Sequence, residues 1–128
     1  MTTDETVLDR EVLWELGGDL GGVPGLQTFV ERWLELLDER LGRLTRYAEA
    51  ADPVGPVVHT AAHEAARSLM ATSTMAGATR LAAASTAMER LLAAHDRAGA
   101  AAALPTLVDD AHRAAAALRD ELLLGPTG

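Results

Sequence analysis

The chain has 128 residues, which is enough for one domain with a single hydrophobic core. Its net charge is −8 and its eleven basic residues are all arginine, so binding to nucleic acid or to an anionic membrane surface is disfavoured. Cysteine is absent, which excludes disulfides, thiolate metal ligands and a thiol nucleophile, and fits a cytoplasmic location. No apolar stretch reaches the ~18 residues of a membrane span, and the acidic N-terminus has no signal-peptide pattern.

The composition favours helix throughout. Hydrophobic residues make up 48% of the chain but aromatic residues only 3%, so leucine, valine and alanine must fill the core. Alanine is the best helix former, and we therefore expect an all-α protein. Trp14, Phe29 and Trp33 are predicted to be core anchors.

The first predicted helix is short. Asp9 can cap a helix that continues to Leu16. The glycine-rich segment 17–24 would end this helix and form a loop. Residues 1–7 are expected to form a flexible N-terminus.

A long second helix is predicted to begin at Pro24 and to end before Asp52. Its apolar residues recur at alternating steps of three and four, which is the period of an amphipathic helix. Glu39 and Arg43 have the i,i+4 spacing of a helical ion pair. The predicted inward residues are Leu26, Val30, Trp33, Leu37, Leu41, Leu44 and Ala48.

The third and fourth helices are predicted over 56–76 and about 78–95, with Gly77 as the stop between them. Their inward stripes consist largely of small residues, which allows close packing of neighbouring helices. The third helix is expected to place these residues inward: Val58, Ala62, Ala66, Leu69, Ser73 and Ala76. For the fourth helix the predicted inward residues are Leu81, Ala84, Met88 and Leu91.

The fifth helix is predicted over 105–123, because Gly99 should break the chain and Pro105 is favoured in a first helical turn. Asp109 and Arg113 form a second i,i+4 pair. The adjacent Asp109 and Asp110 are expected on a solvated face. The C-terminal residues 125–128 are expected to form a flexible tail.

The sequence thus contains one short and four longer amphipathic helices joined by short loops. This pattern predicts an antiparallel four-helix bundle with an extra N-terminal helix, over residues 8–124. No internal repeat is visible.

The third helix carries an unusual outward face. His59, His63 and Arg67 are spaced by four residues, which predicts one exposed stripe. Two histidines at this spacing can chelate a metal ion, but the nearby Glu64 lies off the stripe and a complete site needs further ligands. We therefore predict that the chain holds no metal or cofactor. The two histidines are expected to be solvated, unless the stripe binds a phosphate or a partner protein. His95 and His112 are expected at the surface.

Over most of its length, from Leu8 to Leu123, the chain resembles the histidine-containing phosphotransfer (HPt) domain family. The segment 66–78, ARSLMATSTMAGA, follows the family's phosphorylation-helix frame A-H-x-L-K-G-S-x-x-x-x-G-A without a gap. The N-terminal LDREVL and a long second helix with an early aromatic residue fit as well. The resemblance implies a bundle in which Leu69 is buried and Gly77 forms the helix junction.

The functional positions of this frame are changed. The resemblance puts Arg67 where the family carries its phosphorylated histidine, Met70 at the lysine position and Ala71 at the glycine position. Imidazole accepts a phosphoryl group because one ring nitrogen is unprotonated near neutral pH, whereas the arginine guanidinium is permanently charged. Arg67 therefore cannot serve as the acceptor.

Two interpretations follow from the resemblance. In the favoured one, the domain has lost phosphotransfer and docks the receiver domain of a response regulator, or a histidine kinase, as a signalling module rather than a catalyst. An exposed Met70 would be the centre of this interface. In the alternative, the acceptor is His63, one turn earlier, with Arg67 supplying charge to the phosphate. The predicted docking surface lies on the third helix, α3 (residues 56–76), and is named the α3 surface; it comprises His59, His63, Arg67, Ser68, Met70, Ala71 and Thr74.

A third hypothesis does not involve phosphorelay. The alanine-rich helices could equally form a helical scaffold or oligomerisation domain, and a homodimer is compatible with the sequence. No nucleophile–base pair indicative of a small-molecule enzyme is apparent in the sequence.

Overall fold

The computed structural model describes residues 6–122, which form five α-helices and contain no β-strand. The helices are α1 (Arg10–Asp19), α2 (Val23–Glu49), α3 (Pro56–Ala76), α4 (Thr79–Ala93) and α5 (Arg97–Leu122). The all-α prediction is therefore confirmed. The predicted flexible tail 125–128 and most of the predicted flexible N-terminus 1–7 lie outside the described residues.

Helix α1 begins as predicted but ends later. Asp9 caps it by accepting hydrogen bonds from the backbone N–H groups of Glu11 and Val12. The prediction that the glycines after Leu16 end the helix is wrong, because α1 continues to Asp19. Gly17 is buried where Leu26 of α2 packs closely against it, so the absence of a side chain serves contact between the helices there. The predicted loop 17–24 shortens accordingly to residues 20–22.

Helix α2 has the predicted start and inward face. Pro24 lies in its first turn, and the predicted residues from Leu26 to Leu44 are buried. At the end of the helix the buried residue is Tyr47, whose ring packs against His59 of α3 at 5.7 Å, whereas the predicted Ala48 is half-buried. The predicted pair Glu39–Arg43 is confirmed at 3.1 Å between Oε2 and Nη2.

The junction between α3 and α4 follows the prediction closely. Helix α3 has the predicted bounds, and Gly77 ends it in the left-handed region at φ 81°. The Gly77 carbonyl accepts a hydrogen bond of 2.7 Å from the Asp9 N–H, which ties the junction to the start of α1.

The start of α5 differs from the prediction. The helix begins at Arg97, eight residues before Pro105, which lies exposed within it. The break falls instead at His95, whose φ is 55°, and the Asp96 side chain accepts from the Gly99 N–H in the first turn of α5. An exposed proline removes one N–H and one helical hydrogen bond, a loss that the rest of this long helix tolerates.

The helices enclose one core. Helix α2 packs against α3 and α5, α4 packs against the same two helices, and α1 lies against α2 and α3. The interior is filled mainly by leucine and alanine side chains, as the composition predicted. The residues 6–122 contain no helix long and apolar enough to cross a membrane.

The predicted burial of two residues, Trp14 and Asp110, is wrong. Trp14 is no core anchor: it is 40% exposed and its Nε1–H donates to Glu121 Oε2 at 2.9 Å. Asp110 is not solvated but 8% exposed, whereas the adjacent Asp109 lies on the exposed face of α5. Burial raises the pKa of the Asp110 carboxyl, and the positive charge of Arg80 acts in the opposite direction.

Candidate functional site

The His63–Arg67 part of the predicted stripe on α3 faces α4 and meets Glu89 there. His63 Nε2 lies 3.6 Å and Arg67 Nε 3.9 Å from Glu89 Oε2. Glu89 is half-buried at 28% side-chain exposure, and so is His63 at 28%. The prediction of a single exposed stripe is therefore wrong for this histidine. The α3 helix turns its side chain into the groove beside α4.

His63 has an inaccessible ring nitrogen. Its Nε2 atom is buried and has no hydrogen-bond partner among the described residues, because 3.6 Å to Glu89 exceeds hydrogen-bonding distance. When the ring is protonated, the same atom forms an ion pair with Glu89. An attacking nitrogen needs access to the phosphorus atom, and Nε2 of His63 lacks that access in this conformation.

The side chain of Arg67, unlike the Nε2 atom of His63, is accessible to solvent. Its side chain is 67% exposed in the middle of α3, and its contact with Glu89 at 3.9 Å is at the limit of an ion pair. Such exposed pairs contribute only about 0–1 kcal/mol. The guanidinium is therefore loosely held and available to a partner.

The ring of His59 lies 5.9 Å from that of His63, but its other contacts are at the end of the protein where α2 and α4 terminate. Its Nε2 lies 2.8 Å from the Leu92 carbonyl oxygen, and since a carbonyl only accepts, the Nε2–H donates. The ring stacks on His95 with centroids 4.2 Å apart and meets the edge of Tyr47 at 5.7 Å. His59 is thus half-buried and engaged, contrary to the predicted solvated position.

The same end of the protein has an opening of about 330 Å³ beside this ring cluster. Arg97 closes one side of it through a two-bond pair with Asp52, at 3.1 and 3.0 Å, and donates to the Ala48 carbonyl. The hydrogen bond from Arg97 lowers the pKa of the Asp52 carboxyl, and burial raises the pKa of the nearby Tyr47 phenol. This end is consequently held together by polar contacts that the linear sequence does not indicate.

The remaining members of the α3 surface differ in exposure. Ala71 and Thr74 are exposed, whereas Ser68 and Met70 are half-buried. The expectation of an exposed Met70 is therefore wrong, because part of its side chain is covered within the helix packing. Leu69 and Gly77, expected inside on the basis of the resemblance, are both buried.

Sequence reasoning missed two contributors to this region. Glu89 contacts both His63 and Arg67 from another helix, and no sequence spacing indicated these contacts. His95 is exposed as predicted and has a left-handed backbone, but its ring also stacks on His59, a contact that the sequence did not indicate. His112 is exposed as predicted. Within residues 6–122, no group of three or more histidine, aspartate or glutamate side chains is arranged to hold a metal ion.

Comparison with known proteins adds no relative. No protein-family model matches the chain, and neither the curated proteins nor the solved structures provide a match.

Proposed function

We propose that this chain is an HPt-like signalling module that docks a receiver domain or a histidine kinase through the α3 surface, without phosphotransfer at the usual position. In this role it is a cytoplasmic adaptor between two-component signalling proteins, a binding module rather than a catalyst.

The arrangement of the helices supports this proposal. Helices α2 to α5 each contact two neighbours in a closed ring, and α1 lies across α2 and α3. With short connections between consecutive helices, this pattern fits an antiparallel four-helix bundle with an additional N-terminal helix. HPt domains are expected to have that architecture.

The observation that carries the proposal is the position of Arg67. It projects from the middle of α3 with 67% of its side chain exposed, in the frame position of the family's phosphohistidine. Leu69 and Gly77 occupy the buried positions of the same frame. A preserved scaffold with a guanidinium in place of the imidazole supports recognition without covalent transfer.

Ala71→Asp is expected to weaken receiver binding about tenfold or more, because it introduces a charge that the interface would have to desolvate. Ala71 is exposed, so the variant should fold normally. The measurement is a titration against a panel of receiver domains by calorimetry. Ala116 is also an exposed alanine, on α5, and Ala116→Asp is the matched control that should bind as the parent does.

If Ala71→Asp and the parent chain bind a receiver equally well, the α3 surface is not the interface. If no receiver or kinase binds and the chain forms a tight homodimer, the scaffold hypothesis is favoured instead. That rival has one specific support: Trp14, Leu20 and Val23 are exposed apolar residues around the α1–α2 junction.

Phosphotransfer through His63 is the second candidate function. The proximity of Arg67 and Glu89 supports it, since a carboxylate can orient an imidazole and a guanidinium can bind phosphate. The buried Nε2 counts against it. We expect no acid-labile phosphate on the chain after incubation with a phosphorylated receiver. Label that appears on the parent and disappears in His63→Ala would establish this alternative.

A further inference from the structure

A groove between α2 and α3 holds a half-buried arginine without a partner. Arg40 makes no ion pair or hydrogen bond within the described part of the chain, although its side chain lies partly inside the protein. Burial lowers the pKa of its guanidinium; Glu39 raises that pKa, and Arg43 and Arg32 lower it further. A cation partly removed from water without an ion-pair contact is costly, and the Glu39 carboxylate that acts on Arg40 is already paired with Arg43 at 3.1 Å.

The walls of this groove are apolar. Phe29, Trp33 and Leu36 of α2 line it together with Thr72 of α3, and its volume is about 320 Å³. No acidic residue belongs to the lining. We call it the Arg40 groove, after the residue that lies at its polar side together with Arg32.

The polar atoms around the groove are donors or already bonded. Arg32 contacts Glu35 only weakly, at 3.4 Å on the surface. The Thr72 hydroxyl donates to the Ser68 carbonyl within α3. The buried Trp33 Nε1–H has no acceptor among the residues described. The groove thus combines an apolar wall with positive charge, and its lining contains no carboxylate to pair with that charge.

We propose that the Arg40 groove binds a small apolar molecule that carries a carboxylate. The apolar body lies against Phe29, Trp33 and Leu36, and the carboxylate pairs with the guanidinium of Arg40, with Arg32 beside it. Arginine binds carboxylates through two parallel hydrogen bonds, which become stronger where water is partly excluded.

The size of the groove favours a small ligand over a protein segment. A volume of about 320 Å³ is at the lower end of the range for small-molecule sites. A stable protein interface instead needs about 800 Å² of surface from each partner. The site lies between α2 and α3, away from the Arg67–Glu89 contact with α4, and it does not depend on the function proposed above.

The test is an NMR titration with octanoate as the probe. The chain has two tryptophans, and we expect the indole N–H signal of Trp33 to shift with octanoate while that of Trp14 does not. Octylammonium has the same tail with the opposite charge, and acetate has the charge without the tail. Neither should shift the Trp33 signal at the same concentration.

Arg40→Met keeps the length and apolar stem of the side chain and removes its charge. We expect octanoate affinity to fall about tenfold, with no loss of thermal stability because an unpaired half-buried charge is removed. Arg46→Met is the matched control, since Arg46 is an exposed arginine further along α2, outside the groove lining and not among the charges that act on Arg40. It should leave octanoate affinity unchanged.

Equal shifts with octanoate and octylammonium would overturn the assignment, as would unchanged octanoate affinity in a folded Arg40→Met protein. Absence of any Trp33 shift with millimolar octanoate would also overturn it. Shifts produced by an acidic amphipathic peptide but not by octanoate would replace the small ligand with a protein segment. None of these outcomes bears on receiver binding, which the Ala71 variant tests separately.

Discussion

Gly77→Ala is expected to lower the free energy of unfolding by about 2–4 kcal/mol. Gly77 has a φ of 81°, where a residue with a Cβ atom is strained by about 1–2 kcal/mol. An added Cβ would also collide with the backbone carbonyl oxygen of Asp9 and approach Val12 Cβ to 3.2 Å. Backbone atoms at the start of α1 cannot move aside without breaking the hydrogen bond from Asp9 to the Gly77 carbonyl.

The measurement is urea unfolding followed by circular dichroism. The control is Gly42→Ala in the middle of α2, where an added Cβ meets no neighbouring atom within 4 Å. Alanine reduces the entropy of the unfolded chain and favours helix, so this control should gain about 0.5–1 kcal/mol. Similar effects for both variants would show that the α3–α4 junction does not need its left-handed glycine.

Leu69→Ala is expected to cost about 2–5 kcal/mol of unfolding free energy. The Leu69 side chain is fully buried in the single core, so truncation removes apolar contacts and leaves a cavity. Alanine is the better helix former, but this gain is only a few tenths of a kcal/mol and cannot offset the cavity. Thermal or urea unfolding would measure the difference.

Val57→Ala on the first turn of α3 is the matched control. Val57 is 80% exposed, so its truncation should change stability by no more than about 0.5 kcal/mol. A loss below about 1 kcal/mol for Leu69→Ala would mean that α3 does not pack on the core through this residue. That result would also remove one of the two buried positions on which the HPt-like frame depends.

The apolar repeat and the positions of proline and glycine predicted a helix correctly where local interactions determine its ends. The start of α3 at Pro56 and its end at Gly77 were both correct, because proline and glycine act on the backbone of their own turn. Pro105 shows the limit of the same reasoning. It lies inside α5, since the stability of 26 helical residues packed against α2 and α4 outweighs one lost hydrogen bond.

The candidate site was predictable only in part. Arg67 was identified from the motif frame, and it is exposed as a docking residue must be. Glu89, which links Arg67 to His63, was not identified as their partner, because it lies on another helix and no spacing within α3 indicates it. The stacking of His59 on His95 was not predictable either, because the two residues are 36 positions apart in the sequence.

Local sequence was thus sufficient for the helical class, for most helix bounds and for which face of α2 and α3 turns inward. These properties depend on backbone preferences and on burial of a periodic apolar stripe, and both are encoded within a few turns. Packing decided which polar groups became buried or unpaired: Asp110 in the interior, the covered nitrogen of His63, and Arg40 in its groove. Burial and pairing of a charge are set by side chains distant in sequence, so only the tertiary arrangement could determine them.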